Sequence, residues 1–417
     1  MSKICIIGAG ITGVTSAYAL AKLGHQVTVI ERHLKPAMET SFANGGQLSA
    51  CNAEVWNQVA TIRKGIKWLG KADAPLLLNP SFSMHKYSWL YQFVSHIKDY
   101  EANTIQTVKL ALDARYRLFD VAEQEGIDFD LEKKGILHFF HNDADFQTAK
   151  KVNELLRKGG LERYAVSPDE IKQIEPALKG EYVGGFYTPD DATGDIHKFT
   201  NGLAQAAEKL GVEFRVGTDV TDVKLKGSTL QDGGVTLMIQ PSEESLEQFE
   251  AHTIEADAVL ICGGVNSYQL AEKLGDRVNI YPVKGYSITV NLEAEPNKEN
   301  APWVSLLDES AKIVTSRLGE NRFRVAGTAE FNGYNRDIRA DRIFPLLQWV
   351  RTNFHLNACN SVPWSGLRPM TPNLMPRVEQ GKHPRVFYNT GHGHLGWTLS
   401  MATAEMISQS IHQKLGK

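Results

Sequence analysis

The chain has 417 residues, 42% of them hydrophobic, so it can bury a large core and is expected to form two domains rather than one. Its formal net charge is −3, and no dense block of lysine and arginine marks a nucleic-acid surface. The four cysteines and 13 histidines show no disulfide framework and no zinc-ligand spacing. These features favour small-molecule partners and argue against a metal centre or nucleic-acid binding.

The first 31 residues have the order of strand, glycine turn, helix and strand that binds a dinucleotide. Residues 4–7 are a short apolar run typical of a buried strand, an alanine-rich helix follows from Val14 to Leu23, and Gln26–Ile30 is a second strand that ends at Glu31. The turn between the first strand and the helix consists of Gly8, Ala9, Gly10, Ile11, Thr12 and Gly13. This full context predicts a dinucleotide site.

Each glycine of this turn has a physical task. Gly8 permits the tight turn, Gly10 lets the backbone approach a pyrophosphate, and Gly13 lets the helix lie close to the strand. Glu31 is placed to accept hydrogen bonds from ribose hydroxyls, and its carboxylate would repel a 2′-phosphate. The pattern therefore argues against NADP and leaves NAD and FAD open.

The same segment also resembles a signal peptide, because Lys3 and Lys22 flank an uncharged stretch that contains Ala17-Tyr18-Ala19. Cleavage there would remove every glycine of the turn, so we reject that interpretation. We expect a cytoplasmic protein, either free or held peripherally on the inner membrane.

Nucleotide-type elements recur in three separated blocks, which predicts a cofactor domain interrupted by insertions. The predicted cofactor domain comprises residues 1–60, 191–276 and 364–417, and the predicted substrate domain comprises residues 61–190 and 277–363. The later cofactor blocks contain predicted helices over His197–Leu210 and from Leu399 onward, and predicted strands over Val212–Val216, Val220–Leu225, Gly234–Ile239, Ala256–Ile261 and Arg385–Thr390. After one of these strands, Gly263 and Gly264 indicate either a backbone contact with a ligand or a simple turn.

Two pieces of the substrate domain alternate as half-buried strands do. They are Val283–Val290 and Lys312–Arg317, and Asn321–Thr328 is the expected hairpin partner of the second. In a sheet that covers a pocket, Tyr286 and Arg317 would supply substrate contacts. The alternative is that both are ordinary residues of the solvent side of the sheet.

Six stretches of this chain together resemble one family over nearly its whole length. They are the glycine turn with Glu31-Arg32, Glu39–Ser49, Thr193–Asp195, Tyr281–Ser287, Gly366–Pro372 and Asn389–Thr398. The chain resembles the D-amino acid dehydrogenases, flavoproteins of the wider D-amino acid oxidase, glycine oxidase and sarcosine oxidase superfamily. The resemblance implies an α/β protein: a Rossmann-type FAD-binding domain of glutathione-reductase-like topology with an inserted α+β substrate domain built on an antiparallel sheet.

The resemblance also implies a non-covalent FAD and its contacts. Besides the residues of the glycine turn, Glu31 and Arg32, the implied contacts are Ser41, Asn44, Gly45, Gly46, Gln47, Leu48, Val220, Gly263, Gly264, Gly393, His394, Leu395, Gly396, Trp397 and Thr398. His392 and His394 are expected to shape the flavin loop. The chain departs from the family at two positions: Gly45, where relatives often have alanine, and Asn373, where aspartate is common. The missing charge at Asn373 would alter how the flavin or a nearby arginine is held.

The implied reaction is hydride transfer from the α-carbon of an amino acid to flavin N5, which gives an imino acid that water hydrolyses to a 2-oxo acid and ammonia. Arg368 is the predicted cation for the substrate carboxylate, because a guanidinium forms a two-pronged pair with it. The alternative for Arg368 is a buried structural ion pair. Tyr286 is a second predicted contact, and no histidine or carboxylate is needed as a base.

The electrons are expected to pass to a quinone or another acceptor that is not oxygen. A short basic amphipathic stretch either lies on an anionic bilayer or packs as a helix of the substrate domain; it consists of Ile62, Arg63, Lys64, Ile66, Lys67, Trp68 and Leu69. The competing functions are an oxygen-using glycine or sarcosine oxidase, an NAD-dependent enzyme, and a non-catalytic dinucleotide sensor.

Overall fold

The computed structural model describes residues 1–68, 74–229, 232–247 and 249–416. Its α-helices are α1 Ile11–Lys22, α2 Val59–Trp68, α3 Met84–Ser95, α4 Tyr100–Glu125, α5 Asp143–Lys158, α6 Pro168–Ile174, α7 Ile196–Lys209, α8 Ser267–Lys273, α9 Ala340–Phe354 and α10 Gly396–Leu415. Its strands are β1 Lys3–Ile7, β2 Gln26–Ile30, β3 Gln47–Leu48, β4 Leu76–Leu78, β5 Ile136–Phe140, β6 Tyr164–Val166, β7 Gly184–Thr188, β8 Ala192–Thr193, β9 Glu213–Arg215, β10 Thr218–Lys226, β11 Gly234–Pro241, β12 His252–Ala256, β13 Ala258–Ile261, β14 Tyr281–Asn291, β15 Ser305–Asp308, β16 Ile313–Leu318, β17 Arg322–Phe331, β18 Ser361–Met370, β19 Arg377–Gln380 and β20 Val386–Thr390.

The first sheet is the Rossmann-type sheet that the sequence predicts. Its six strands lie in the order β19-β20-β13-β1-β2-β9, all parallel except the edge strand β19. Helices α1, α7 and α10 cover one face with an apolar core, and the antiparallel strands β10, β11 and β12 cover the other. Because both faces are covered, the central strands are apolar along their length rather than alternating.

The second sheet has nine strands and is mostly antiparallel. Its order is β18-β14-β17-β16-β15-β5-β7-β6, with β4 beside β17. Two of its pairs are parallel, β15 with β5 and β4 with β17, so the predicted antiparallel sheet is confirmed in its main part. Helices α6 and α9 contribute apolar residues to the core on the face of this sheet that lies away from the first sheet.

The predicted domain limits remain predictions, although the strands of the first sheet all come from the three predicted cofactor blocks. Strand β18 begins at Ser361 in the predicted substrate domain and continues past the predicted limit at residue 364. It pairs with β14 along the second sheet, so the chain enters the last cofactor block while it is still part of the substrate sheet.

Candidate active site

A cavity of about 660 Å³ lies between the two sheets, within the size range of roughly 300–1,000 Å³ that is common for ligand sites. Both sheets contribute residues to its wall. All but five of the predicted cofactor residues line it, and the five that lie behind the wall are Ala9, Gly13, Leu48, Leu395 and Thr398. The sequence prediction therefore converges on one cavity.

The glycine turn forms a cradle that side chains would fill. Gly8 has φ +104°, and a Cβ at Gly13 would lie 1.9 Å from the carbonyl oxygen of Gly8. Helix α1 begins at the cavity wall without a side-chain cap at Gly10, while the amide of Ile11 donates to Ser41 Oγ at 3.1 Å. A helix N-terminus of this kind binds phosphate oxygens, so the cradle fits the diphosphate of a dinucleotide.

Glu31 stands at the end of β2 and lines the cavity. Its two carboxylate oxygens accept from the backbone amides of Ala9 at 2.6 Å and His33 at 3.0 Å. Burial raises the pKa of Glu31, and these two amides oppose that effect. Each carboxylate oxygen has a second lone pair, so Glu31 retains the capacity to accept from ribose hydroxyls.

The loop after Ser41 is fixed against the second sheet. Ser287 Oγ donates to the carbonyl of Ala43 at 2.9 Å, and Ser316 Oγ donates to the carbonyl of Gly45 at 2.6 Å. A Cβ at Gly45 would lie 2.9 Å from Val314 Cγ2. The glycine that departs from the family pattern therefore has a local reason, because Val314 occupies the space that an alanine methyl would need.

The C-terminal loop closes the opposite side of the cavity. Gly393 has φ +59°, and a Cβ there would lie 2.8 Å from Met370 Sδ. His394 stacks on Trp56 with ring centres 4.5 Å apart, and burial lowers its pKa to about 4. Trp397 also lines the cavity, and its buried indole N–H has no hydrogen-bond partner among the described residues. An unpaired donor here fits a cofactor that presents an acceptor.

Asn373 is not part of this wall. Its side-chain oxygen accepts from the amide of Met375 at 3.2 Å, and it lines a separate, smaller cavity. Replacement of the common aspartate at this position therefore changes a turn rather than the lining of the main cavity.

Arg368 lies on β18 and lines the cavity. Its Nη1 donates to the carbonyl of Thr328 at 3.1 Å, and no carboxylate of the described residues lies within ion-pair distance. Burial alone lowers its pKa to about 10, so the guanidinium remains charged at neutral pH. A Cβ on Gly285, two residues from the partner of Arg368 on the neighbouring strand β14, would be 2.3 Å from Arg368 Cζ. The alternative of a structural ion pair finds no support in this geometry.

The residue that accepts the hydrogen bond of this guanidinium, Thr328, has a strained backbone conformation, and no sequence motif indicated it. Its φ is +62°, which is rare for a β-branched residue. The ladder between β14 and β17 shifts register here, since Lys284 pairs with Glu330 and Tyr286 pairs with Gly327. Thr328 is thus the left-handed residue of a β-bulge, a feature that often re-aims groups beside active sites.

Tyr286 lines the main cavity, but its hydroxyl already has a hydrogen-bond partner within the protein. It packs in the apolar core shared with α9, and its hydroxyl donates to Glu330 Oε2 at 2.7 Å. The side chain of Ser287, the next residue of the strand, points to the other face of the sheet, because successive side chains of a strand point to opposite faces. The tyrosine hydroxyl is therefore bound to Glu330, and its contact with the substrate carboxylate stays a prediction.

Arg317 is likewise a structural residue. It is buried, its guanidinium stacks 4.3 Å from the ring centre of Trp303, and it donates to the carbonyl oxygens of Ala301, Gly319 and Glu320. It lines no part of the main cavity.

Comparison with known proteins identifies the family. The family described as FAD dependent oxidoreductase (DAO) matches residues 3–410. "D-amino acid dehydrogenase 3" from Mesorhizobium japonicum is 55% identical over 99% of this chain and 97% of that protein. A D-amino acid dehydrogenase from Paramagnetospirillum magneticum is 39% identical over 98% of this chain and 94% of that protein.

Solved structures support the fold. Glycine oxidase from Bacillus cereus has a TM-score of 0.73 at 20% identity and covers 99% of this chain and 96% of its own. L-proline dehydrogenase from P. horikoshii has a TM-score of 0.73 at 18% identity over 99% of this chain and 93% of its own. Together with the family match and the cradle described above, these results show that the chain belongs to the DAO family of FAD-dependent oxidoreductases, in the branch formed by its D-amino acid dehydrogenase relatives.

Proposed function

We propose that the chain catalyses the oxidative deamination of D-amino acids. The observation that carries the proposal is Arg368, a charged guanidinium without a carboxylate partner among the described residues, in the wall of a cavity that fits FAD. Two curated relatives that match nearly the whole chain are named D-amino acid dehydrogenases, which supports the substrate class. The FAD family match argues against the NAD-dependent alternative.

Different residues of the chain would bind different parts of FAD and of the substrate. The glycine cradle and Glu31 would hold the diphosphate and ribose of FAD, and the loops at residues 41–47 and 393–397 would hold its ring system without a covalent bond. FAD, when bound, supplies the acceptor for the electron pair that leaves the α-carbon with its hydrogen. Arg368 fixes the carboxylate so that the α-carbon meets that acceptor in one orientation.

No protein base is needed for this step. The cavity-lining His392 and His394 have pKa values lowered by burial to about 3 and about 4, so neither is suited to take a proton from a substrate ammonium. The amine therefore loses its proton to solvent before the step. Water then adds to the imino carbon of the product, and ammonia leaves to give the 2-oxo acid.

We propose a quinone or another non-oxygen acceptor, reached from a membrane surface. Support comes from α3, whose outer face exposes Met84, Tyr87, Tyr91 and Val94 at helical spacing, with Phe82 just before the helix. Among the described residues, no helix has both the length and the apolar character needed to cross a bilayer. Any membrane contact made by these helices is therefore peripheral.

Part of the basic stretch packs on the protein, and its contact with a membrane surface stays a proposal. In α2, Ile62 packs against the apolar core that includes the inner face of α3. Lys64 forms an ion pair with Asp145 at 3.3 Å and lines the cavity. Ile66, by contrast, is exposed. Leu69, the last residue of the predicted stretch, lies outside the described residues. The helix is thus a cover of the cavity whose outer side remains free for a surface contact.

An anaerobic titration of the purified flavoprotein tests the proposal. D-amino acids are expected to bleach the flavin bands, whereas their L-enantiomers, glycine and sarcosine are expected to leave the bands unchanged. Bleaching by glycine or sarcosine alone would instead assign the oxidase function. Re-oxidation of the reduced protein by a soluble quinone much faster than by oxygen, with little hydrogen peroxide, would support the proposed acceptor.

A further inference from the structure

The wall of the cavity also contains a group of charged and polar side chains that no sequence motif indicated. We call this region the polar lobe; its wall includes Glu54, His138, Arg163, Glu309 and Lys312. A polar lobe in a substrate cavity must be filled by water or by polar groups of the ligand. Its charges therefore bear on which side chains the substrate carries.

Arg163 is the unusual member of the lobe. It is only 6% exposed, and its guanidinium stacks on the ring of Phe186 with 4.7 Å between Cζ and the ring centre. Its buried Nε has no hydrogen-bond partner, and no carboxylate among the described residues lies within ion-pair distance of its guanidinium. Burying a guanidinium without a partner is costly, so the lobe favours a ligand that brings an acceptor.

The nearby acidic groups are occupied elsewhere. Glu309 pairs with His138 Nδ1 at 3.0 Å and with Lys312, so its charge is balanced within the wall. Glu54 Oε1 accepts from the hydroxyl of Tyr100 at 2.7 Å. These carboxylates stabilise the charged form of Arg163 from a distance, but they form no hydrogen bond with it.

The two guanidinium groups line the same cavity. Arg368 donates to Thr328 on β17, whereas Arg163 and the lobe residue His138 interact electrostatically. His138 lies on β5, and β17 and β5 are three strand spacings apart in the sheet, roughly 14 Å. A substrate whose α-carboxylate is held by Arg368 would therefore meet Arg163 through the far end of its side chain.

We propose that the polar lobe is the side-chain subsite and selects D-amino acids with a distal carboxamide or carboxylate, such as D-glutamine or D-glutamate. Arg163 donates to the distal oxygen while Arg368 holds the α-carboxylate. The inference rests on the proposed function and adds the substrate class to it. A side chain of equal length without an acceptor leaves Arg163 unpaired and is rejected for that reason.

The test compares kcat/KM for D-glutamine, D-glutamate and D-norleucine, each normalised to D-alanine with the same protein. The wild-type protein is expected to favour D-glutamine or D-glutamate over D-norleucine at least tenfold, and the preferred one identifies the carboxamide or the carboxylate as the ligand. The substitution Arg163→Met is expected to bring this ratio close to one. Arg157→Met, at an exposed arginine of α5, is the matched control and is expected to keep the wild-type ratio.

Two results would overturn the inference: a wild-type preference for D-norleucine, or a preference for the polar substrates that survives in Arg163→Met. If Arg163→Met fails to fold, Arg163→Lys provides the comparison, with a ratio expected between one and the wild-type value; an unchanged ratio would count against the subsite. Flavin that no D-amino acid reduces would instead refute the proposed function, so the two failures are distinguishable.

Discussion

At Arg368, two residues that are distant in sequence and one strand pairing determine the position of one guanidinium. Gly285 leaves space for it, Thr328 accepts its hydrogen bond, and β18 holds its backbone against β14. The motif around Arg368 was readable in the sequence, whereas the left-handed conformation of Thr328 was not, because a threonine carries no signal for it. The period of two along β14 was a usable signal that Tyr286 and Ser287 face opposite sides.

The substitution Thr328→Gly should separate strain from function. Glycine adopts φ +62° without the cost that threonine incurs there, so thermal unfolding should show a gain of about 1 kcal/mol in stability. With glycine the bulge is more flexible, so the carbonyl of residue 328 that accepts from Arg368 is held less firmly. We therefore expect KM for a D-amino acid to rise several-fold. Thr328→Ser keeps the strain and serves as the control. A more stable glycine variant with unchanged KM would show that the strained bulge has no positioning role.

The substitution Gly285→Ala should displace the guanidinium without disturbing the cofactor. Its Cβ would lie 2.3 Å from Arg368 Cζ, so the arginine must move. We expect KM to rise about tenfold, equivalent to about 1.4 kcal/mol of binding free energy, with unchanged FAD content. Gly234→Ala, where the nearest atom to the new Cβ is 3.7 Å away, is the control. Equal KM values for the two variants would contradict the role of Gly285.

At the scale of elements, continuous apolar runs located the central strands of the first sheet, and the helical period located α7. The prediction of Gln26–Ile30 matches β2 residue for residue, and the helix predicted over His197–Leu210 differs from α7 by one residue at each end. The long helix α4 was missed in the predicted substrate domain. Its buried Val108, Ala111 and Leu118 recur at helical spacing, which is the signal that would have located it.

The loop after β2 gives a pH prediction for stability. His33 bonds to Glu39 at 3.1 Å and Glu244 at 2.9 Å, and the bond to Glu39 is the main reason why its pKa rises to about 9. A folded-state pKa above the ordinary value of 6.5 stabilises the protein below pH 6.5, and this contribution is lost as the pH rises through 9. After screening, the contribution is on the order of 1–2 kcal/mol.

The measurement is the difference in melting temperature between the wild-type protein and His33→Gln. The wild-type protein should melt about 1–2 degrees higher at pH 6, because the unfolding entropy of a chain of this length is large, and the difference should shrink above pH 9. A difference that stays constant from pH 6 to pH 9.5 would show that His33 is not charged in the folded state.

At the scale of the whole molecule, the two sheets enclose a single cavity that needs residues from the first and the last blocks of the chain. The resemblance predicted the fold because five of its six motifs line this cavity, and the sixth, Thr193–Asp195, supports the wall through the amide of Gly194, which donates to the carbonyl of Gly46. It did not reveal the polar lobe, since Glu54 and Arg163 belong to none of those motifs. Side-chain specificity was therefore the part of the site that required the three-dimensional arrangement.

Non-covalent FAD is a prediction at this scale. Cys51 and His392 line the cavity, yet burial raises the pKa of the Cys51 thiol well above its usual range and lowers that of His392 to about 3. A neutral buried thiol is a poor nucleophile for attachment. Precipitation of the yellow protein with acid should leave all flavin in the supernatant; colour in the pellet would reveal a covalent bond.

The most direct test of the account compares the wild-type protein with Arg368→Met in anaerobic flavin reduction by a D-amino acid over a range of concentrations. We expect the same oxidised-flavin spectrum in both proteins. We also expect a half-saturating concentration at least about 30-fold higher in the variant, since loss of a buried charge partner costs about 2 kcal/mol or more. Equal half-saturation and equal reduction rates in the two proteins would contradict the claim that Arg368 anchors the substrate carboxylate.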